Sequence, residues 1–249
     1  MNFCVEVFMK ILIQGAMENE FAYLLNFFQP TQHENIAGYD FYITEYRGNS
    51  IIISRTGIGI INTSIATTIA INRYAPDLII NHGCAGGHVV DINVGDIVIG
   101  EKAAYLNDFY TPLRAKNEGS NSLEWLPNAK RSYVIDATAE FVELAKGIKM
   151  ENKVLVGTLG SGDLYSREYD RIVYLNQLFG ELCEDMETVA SFKVCENFGV
   201  AHIAFRIISN NELLGTIGDM AILNDLQQFV INFVDKVIDN LQLSKKSKK

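Results

Sequence analysis

The sequence predicts an α/β fold, a three-layer αβα sandwich around a central mixed β-sheet. Three observations carry this prediction. Short apolar or β-branched runs alternate along the chain with segments of helical period, the signature of strand–helix units. Glycines close several of those runs, at 15, 57 and 59, 83–87, and 160–162, so polar and glycine-rich strand ends converge on one edge of the sheet, where such folds bind ligands. The chain closes with an amphipathic stretch, Asp219–Leu241, that puts Ile222, Leu226, Phe229, Val230, Phe233, Val237 and Ile238 on one face.

From the start, Met9–Gly15 reads as a first strand ending in a glycine turn, with residues 1–8 as a loose N-terminal extension. Ala16 enters a helix to about Phe28, with Glu18 and Glu20 in its first turn. Gly38–Tyr46 and Ser50–Arg55 read as paired strands. Thr56-Gly-Ile-Gly59 feeds a helix to about Tyr74. Glycines there let backbone N–H groups approach an anion or polar ligand, although a tight turn is the simpler account. Asp77–Asn81 is a short buried strand, closed by Gly83-Cys-Ala-Gly-Gly87, where backbone must pass close to something. Gly95–Gly100 is another strand. Residues 105–130 form the least regular stretch and hold the only Trp, Trp125; a loop that long is usually functional or contacts a partner. Ala137–Lys146 is a helix, Lys153–Gly157 a strand passing into Gly160-Ser-Gly-Asp163, and a helix follows near Arg167–Leu178. Val200–Ser209 is a nearly continuous apolar strand interrupted by Arg206, which needs an acid or a ligand if buried.

The rest of the chain is organised around Leu182–Phe198. It opens with three acids in four positions, Glu184, Asp185 and Glu187, broken only by Met186, and turns helical until Gly199. Acids at a helix start are often only partners of its dipole. These follow a buried strand end, where a carboxylate is costly without a partner or a task. One task is to grip a sugar diol, accepting hydrogen bonds from both hydroxyls. The residues alone leave both readings open.

Composition narrows the class. The 249 residues are 48% hydrophobic and 20% charged, with a net charge of -9 and a pI near 5.0, which argues against a nucleic-acid binder. No apolar run is long enough to span a membrane. The four cysteines (Cys4, Cys84, Cys183, Cys195) lack metal or redox spacing and read as free thiols in a reducing compartment, so a cytoplasmic location is expected. The four histidines do not cluster with acids, and no metal or cofactor is expected. His33 reads as a surface residue, His88 as loop, His202 as a satisfied core residue and His82 as packing.

In their order and spacing, Gly15-Ala-Met-Glu-Asn-Glu20, Gly57-Ile-Gly59, Pro76-Asp-Leu-Ile-Ile-Asn81, Gly83-Cys-Ala-Gly-Gly87, Val94-Gly-Asp-Ile-Val98, Ser161-Gly-Asp163, Asp185-Met-Glu187 and Arg206-Ile-Ile-Ser209 resemble one superfamily. It is the purine nucleoside phosphorylase/hydrolase superfamily, and in particular its bacterial 5′-methylthioadenosine/S-adenosylhomocysteine nucleosidases. The resemblance implies a phosphorylase/hydrolase-like fold, with residues 9–242 as a single nucleosidase domain and 243–249 as a basic, flexible tail. It implies hydrolysis of a purine N-glycosidic bond, with Glu20 as the base that activates water and Arg206 positioning that water. Glu187 grips the ribose hydroxyls beside Asp185, and Met186 packs under the sugar. Ala16, Ile58, Cys84, Ala85 and Gly86 line the nucleoside site. Leu164, Tyr165 and Ser166 form the base pocket, Tyr165 by stacking and Ser166 through its backbone, and Met220 closes the 5′ side. Tyr110 and Leu113 reach into the neighbouring subunit's pocket, so a homodimer is implied. Phosphorylases of the superfamily hold phosphate with arginines in places occupied here by Ala16–Asn19 and Asn81-His82, so hydrolysis is expected over phosphorolysis.

The main departure is Asn210, standing where the nucleosidases carry the Asp that protonates purine N7. Asn cannot act as an acid, but its amide both donates and accepts. Three expectations follow: a weakened, nucleoside-binding relative; an Asp→Asn change made to trap substrate; or a 6-oxopurine nucleoside hydrolase, for inosine or a futalosine-like compound. Asn211 and Glu212 are the neighbouring candidates for a substitute donor. Cys84 in place of Ser, Asp185 in place of Glu and Leu106-Asn107 in place of His-Asp weigh toward natural divergence.

Overall fold

The structure, a computed structural model, describes residues 9–128 and 134–246, with side chains to residue 243. The expected N-terminal extension with Cys4, and residues 247–249 of the basic tail, lie outside the described residues. The elements are β1 (Lys10–Gly15), α1 (Glu18–Phe28), β2 (Gln32–Ile36), β3 (Tyr39–Tyr46), β4 (Asn49–Arg55), α2 (Ile60–Tyr74), β5 (Leu78–Gly87), β6 (Ile97–Tyr105), β7 (Phe109–Tyr110), β8 (Leu126–Pro127), β9 (Val134–Asp136), α3 (Ala139–Lys146), β10 (Val154–Ser161), α4 (Tyr169–Phe179), β11 (Glu181–Asp185), α5 (Thr188–Phe198), β12 (Ala201–Asn211), β13 (Thr216–Ile217) and α6 (Leu223–Lys246).

One mixed sheet runs β13-β12-β6-β10-β11-β5-β1-β4-β3-β2. Strand β12 pairs antiparallel with β6 and parallel with β5, so β12, β6, β10, β11 and β5 close into a ring. The wing β1-β4-β3-β2 extends from β5, with β1 parallel to both β4 and β5. Helices cover both faces. Ile11 and Ile13 of β1 face a cluster with Phe21 and Leu24 of α1 and with Phe229 and Phe233 of α6. Leu12, between them, faces Ala70 of α2 and Cys195 of α5. A strand covered on both faces has no polar side to alternate with, which is why Ile11–Ile13 reads as an unbroken apolar run.

The structure revises several boundaries. The strand expected to stop at Asn81 continues through the glycines to Gly87, because β5 pairs there with both β11 and β12. Side chains are excluded at that junction: a Cβ on Gly87 would fall 2.8 Å from Ile92 and 2.9 Å from Asn211. Strands β2 and β9 were not foreseen; β2 is a largely exposed edge strand without an apolar face. The irregular stretch 105–130 contains the small β7–β8 hairpin, with Trp125 beside it. Helix α6 continues to Lys246, into the stretch expected to be loose tail. Among the described residues no helix is long and apolar enough to cross a membrane.

Candidate active site

The glycine-rich ends of β1, β5, β11 and β12 meet around a cavity of about 190 Å³. Its wall includes Ala16, Met17, Glu20 and Ile58 from the β1 and β4 side, Cys84, Ala85 and Gly86 from β5, Glu184–Glu187 from β11, Ser209 and Asn210 from β12, and Tyr165. Four acidic residues are among its lining; no lysine or arginine is.

Glu20 is set by the first turn of α1, where a glutamate three residues past the N-cap reaches back to the helix start. It is buried. Oε2 accepts from the backbone N–H of Ala16 (2.7 Å) and Met17 (3.0 Å), and Oε1 accepts from Cys84 N (3.0 Å). Gly83 makes this possible, since a Cβ there would sit 2.6 Å from Glu20 Oε1. Gly83→Ala should therefore displace the carboxylate and lower turnover by about 10²-fold, the typical penalty for a displacement near 1 Å. Steady-state kinetics on the folded variant checks this, and unchanged kcat would contradict the placement.

The acidic stretch divides between its two readings. Asp185 Oδ1 accepts from Glu187 N (2.9 Å), Thr188 N (2.9 Å) and Ser161 Oγ (2.7 Å), and Oδ2 accepts from Thr188 Oγ1 (2.5 Å) and Arg206 Nε (3.0 Å). Both oxygens are saturated by the protein, so the expected substrate contact of Asp185 is replaced by a capping role at the N-terminus of α5. Glu187 faces the cavity instead. Its Oε1 accepts from Gly59 N (3.0 Å), so the glycine loop before α2 presents its N–H to the protein's own carboxylate. Burial first, then the nearby Asp185, raises the Glu187 pKa to about 7. A folded pKa above the ordinary 4.5 means the fold holds this proton more tightly than the unfolded chain, so its contribution to stability declines as pH rises from 4.5 toward 7. Ribose binding runs the other way, because only the ionised form accepts from two hydroxyls. KM for a nucleoside should fall as pH rises through about 7, and Glu187→Gln should flatten that profile.

Arg206, expected to position the attacking water, is fully buried and does not itself line the cavity. Nε donates to Asp185, Nη2 to Asn81 Oδ1 (2.5 Å) and Nη1 to Phe205 O (2.9 Å), and Glu187 Oε2 lies 4.0 Å from Nη2. Burial opposes its charge, but Asp185, Glu187 and Glu20 outweigh it and raise its pKa. Arg206 is a positioning residue, a buried cation that keeps the acids in register.

Asn210 Oδ1 accepts from Ser209 Oγ (3.0 Å), and Nδ2 donates to Glu212 Oε1 (3.4 Å). Glu212 also meets Tyr165 OH (3.3 Å) and Arg167 Nε (3.3 Å). Asn211 is excluded as a substitute donor, since its amide donates to Val89 O and Ile92 O, away from the cavity. Cys84 lines the wall with its thiol pKa pushed up to about 12 by burial and by Glu20. Leu164 and Ser166 line an adjoining pocket with Arg167 and Arg171 rather than this cavity. Of the Ser166 backbone, expected to read the base, the N–H donates to Glu184. Met220 lies outside the lining, half exposed in a short turn before α6. Tyr110 and Leu113 project into solvent, Leu113 fully, and contribute nothing to this chain's own cavity.

Of the histidines, His202 is satisfied by Val200 O and Asp136 O, and His33 is exposed against Asp40. His82 is buried beside Gly15 and Glu20 without a partner for either nitrogen; burial, then Arg206, lowers its pKa to about 3, so it is neutral. His88 lies in the loop just past the end of β5, as expected. It is buried, with Nδ1 3.0 Å from Glu181 and Nε2 3.5 Å from Glu184. Burial opposes its charge, but the two glutamates raise its pKa to about 9. Its ion-pair setting was invisible because Glu181 lies 93 residues away in sequence.

Comparison with known proteins bears on the family and the fold. The profile described as Phosphorylase superfamily matches residues 10–242. A 5′-methylthioadenosine/S-adenosylhomocysteine nucleosidase of Bacillus pumilus is 31% identical over 234 residues, 92% of this chain and 97% of the relative. That of Tolumonas auensis is 34% identical, covering 81% of this chain and 86% of the relative. Among solved structures, the Helicobacter pylori 5′-methylthioadenosine/S-adenosylhomocysteine nucleosidase with butyl-thio-DADMe-Immucillin-A superposes with a TM-score of 0.76 at 23% identity, over 93% of this chain and 100% of that one. The futalosine hydrolase of Helicobacter pylori does so with a TM-score of 0.76 at 23% identity, over 93% and 98%. Built on that fold, with its glycine-rich strand ends gathered around Glu20 and Glu187, the chain belongs to the phosphorylase superfamily and, within it, to the 5′-methylthioadenosine/S-adenosylhomocysteine nucleosidase family.

Proposed function

We propose that this protein hydrolyses the N-glycosidic bond of purine nucleosides of the 5′-methylthioadenosine/S-adenosylhomocysteine type, releasing the free purine. One observation carries the reading: among the described residues, the cavity is lined by four acidic residues and no basic one. Such a wall favours the cationic sugar that develops as the bond breaks, and it repels phosphate as a nucleophile. Glu20, held by three backbone N–H groups, takes the proton of the attacking water. Glu187 holds the ribose hydroxyls, Met186 packs under the sugar and Tyr165 stacks on the base. A homodimer and a cytoplasmic location belong to the same reading; exposed Ile58, Ile61 and Ile65 around α2, with Tyr110 and Leu113, offer apolar surface for a second subunit.

The test is base release by the purified protein, with and without phosphate, on 5′-methylthioadenosine, S-adenosylhomocysteine, inosine and guanosine. Release without phosphate is expected; a strict phosphate requirement would refute hydrolysis. Asn210 favours a second reading, hydrolysis of 6-oxopurine nucleosides, because its amide accepts from N7–H and donates to O6. Asn210→Asp should restore a proton donor for adenine and raise turnover of adenine nucleosides by about 10²-fold or more. Absence of any gain, with good hypoxanthine release by the unmodified protein, would favour the second reading.

A further inference from the structure

Glu184 stands in the cavity wall without a part in the chemistry above. Its position is set by a register found at one residue, Gly86. That residue pairs with Glu184 of β11 on one side and with Asn210 of β12 on the other. Residues opposite one another on neighbouring strands send their side chains to the same face of a sheet. Glu184 and Asn210 therefore stand together on one face with bare Gly86 between them, about 10 Å apart at Cα, two strand spacings. A Cβ on Gly86 would intrude, at 3.2 Å from Asn210 Nδ2.

The Glu184 carboxylate is buried and rigidly held. Oε2 accepts from Ser166 N (2.9 Å), Oε1 accepts from Ser166 Oγ (3.0 Å), and His88 Nε2 lies 3.5 Å from Oε2, itself anchored to Glu181. An ionised carboxylate offers about four acceptor sites and no donor. With these donors engaged, acceptor capacity remains toward the cavity, and the Ser166 N–H is not free to read a base.

We infer that Glu184, facing Asn210 across Gly86, is the specificity-determining residue for the base, and that it selects 6-oxopurines over adenine. This rests on the second nucleosidase reading above, hydrolysis of 6-oxopurine nucleosides. Hypoxanthine and guanine present N1–H to an acceptor, and guanine adds its 2-amino group. Adenine presents a lone pair at N1, which faces a carboxylate as acceptor against acceptor. At the opposite edge, Asn210 donates to O6 or accepts from N7–H. The plainer role, a counter-ion for His88, would affect stability and leave base preference unmoved.

The experiment pairs two readouts on the unmodified protein and on Glu184→Gln. One is the kcat/KM ratio of 5′-methylthioinosine to 5′-methylthioadenosine; the other is the Kd ratio of free hypoxanthine to free adenine by calorimetry. The unmodified protein should favour the 6-oxopurine at least about tenfold in both, and Glu184→Gln, whose amide can donate to N1, should shift both ratios toward adenine by about tenfold or more. A preference for adenine in the unmodified protein overturns the inference whether or not the variant folds, and so does an unchanged ratio in a folded variant. Release of neither base would sink the nucleosidase reading, while the free-base ratio would still decide the role of Glu184.

Discussion

Glu20→Gln should reduce base release by about 10²–10⁴-fold, the usual contribution of a positioned base. The same change should destabilise the fold, for a reason visible in the hydrogen bonds. All three donors to this side chain are backbone N–H groups, two on Oε2 and one on Oε1. Glutamine replaces one acceptor oxygen by an NH2, which then meets an N–H as donor against donor. Leaving such a buried group unsatisfied costs about 1–3 kcal/mol. Loss of activity and loss of stability must therefore be separated. Turnover should be measured at a temperature where circular dichroism shows the variant fully folded, with nucleoside affinity by calorimetry alongside. Retained affinity with lost turnover supports the role; undiminished turnover would sink it.

Arg206→Met should have the largest effect on stability, about 3–5 kcal/mol, the cost of removing one partner of a buried ion pair. Arg206 and Asp185 are both fully buried at the side chain, so water cannot take over from the lost cation. Replacing both partners by apolar groups is often harmless elsewhere, but not at this site. Asp185 also accepts from Ser161, Thr188 and the backbone of Glu187, so an apolar residue there would leave those donors unsatisfied. Denaturant titration should show the loss, and melting should fall by about 6–20 °C for a chain of this size. The single variant should also lose turnover, because Glu187 sits 4.0 Å from the guanidinium. A variant as stable as the original would show that the pair is not ionised as described.

Much of this molecule is legible in local chemistry. The apolar run Ile11–Ile13 and the helical period of 223–241 place β1 and most of α6, because the burial pattern of each is written in consecutive residues. An arginine inside an apolar strand called for an acid or a ligand, and Asp185 is the acid it meets. The acidic stretch left a helix-dipole role and a sugar-binding role both open, and it did not show its division of labour. In a strand neighbouring side chains point to opposite faces, so Glu184 and Asp185 part company, and only the register of β11 decides which carboxylate reaches the cavity wall through Ser166 and which turns to Arg206.

What the sequence determined by itself was the fold class, the family and the residues around Glu20 and Glu187, since those depend on short-range pattern and on motifs in a fixed order. What only the tertiary structure decided was how distant segments meet. The pairing of Gly86 with both Glu184 and Asn210, the burial of His88 between Glu181 and Glu184, and the use of the Ser166 N–H all join segments 18 or more residues apart. Hydrogen bonds and ion pairs act over a few ångströms, and sequence separation carries no information about that distance until the sheet has closed.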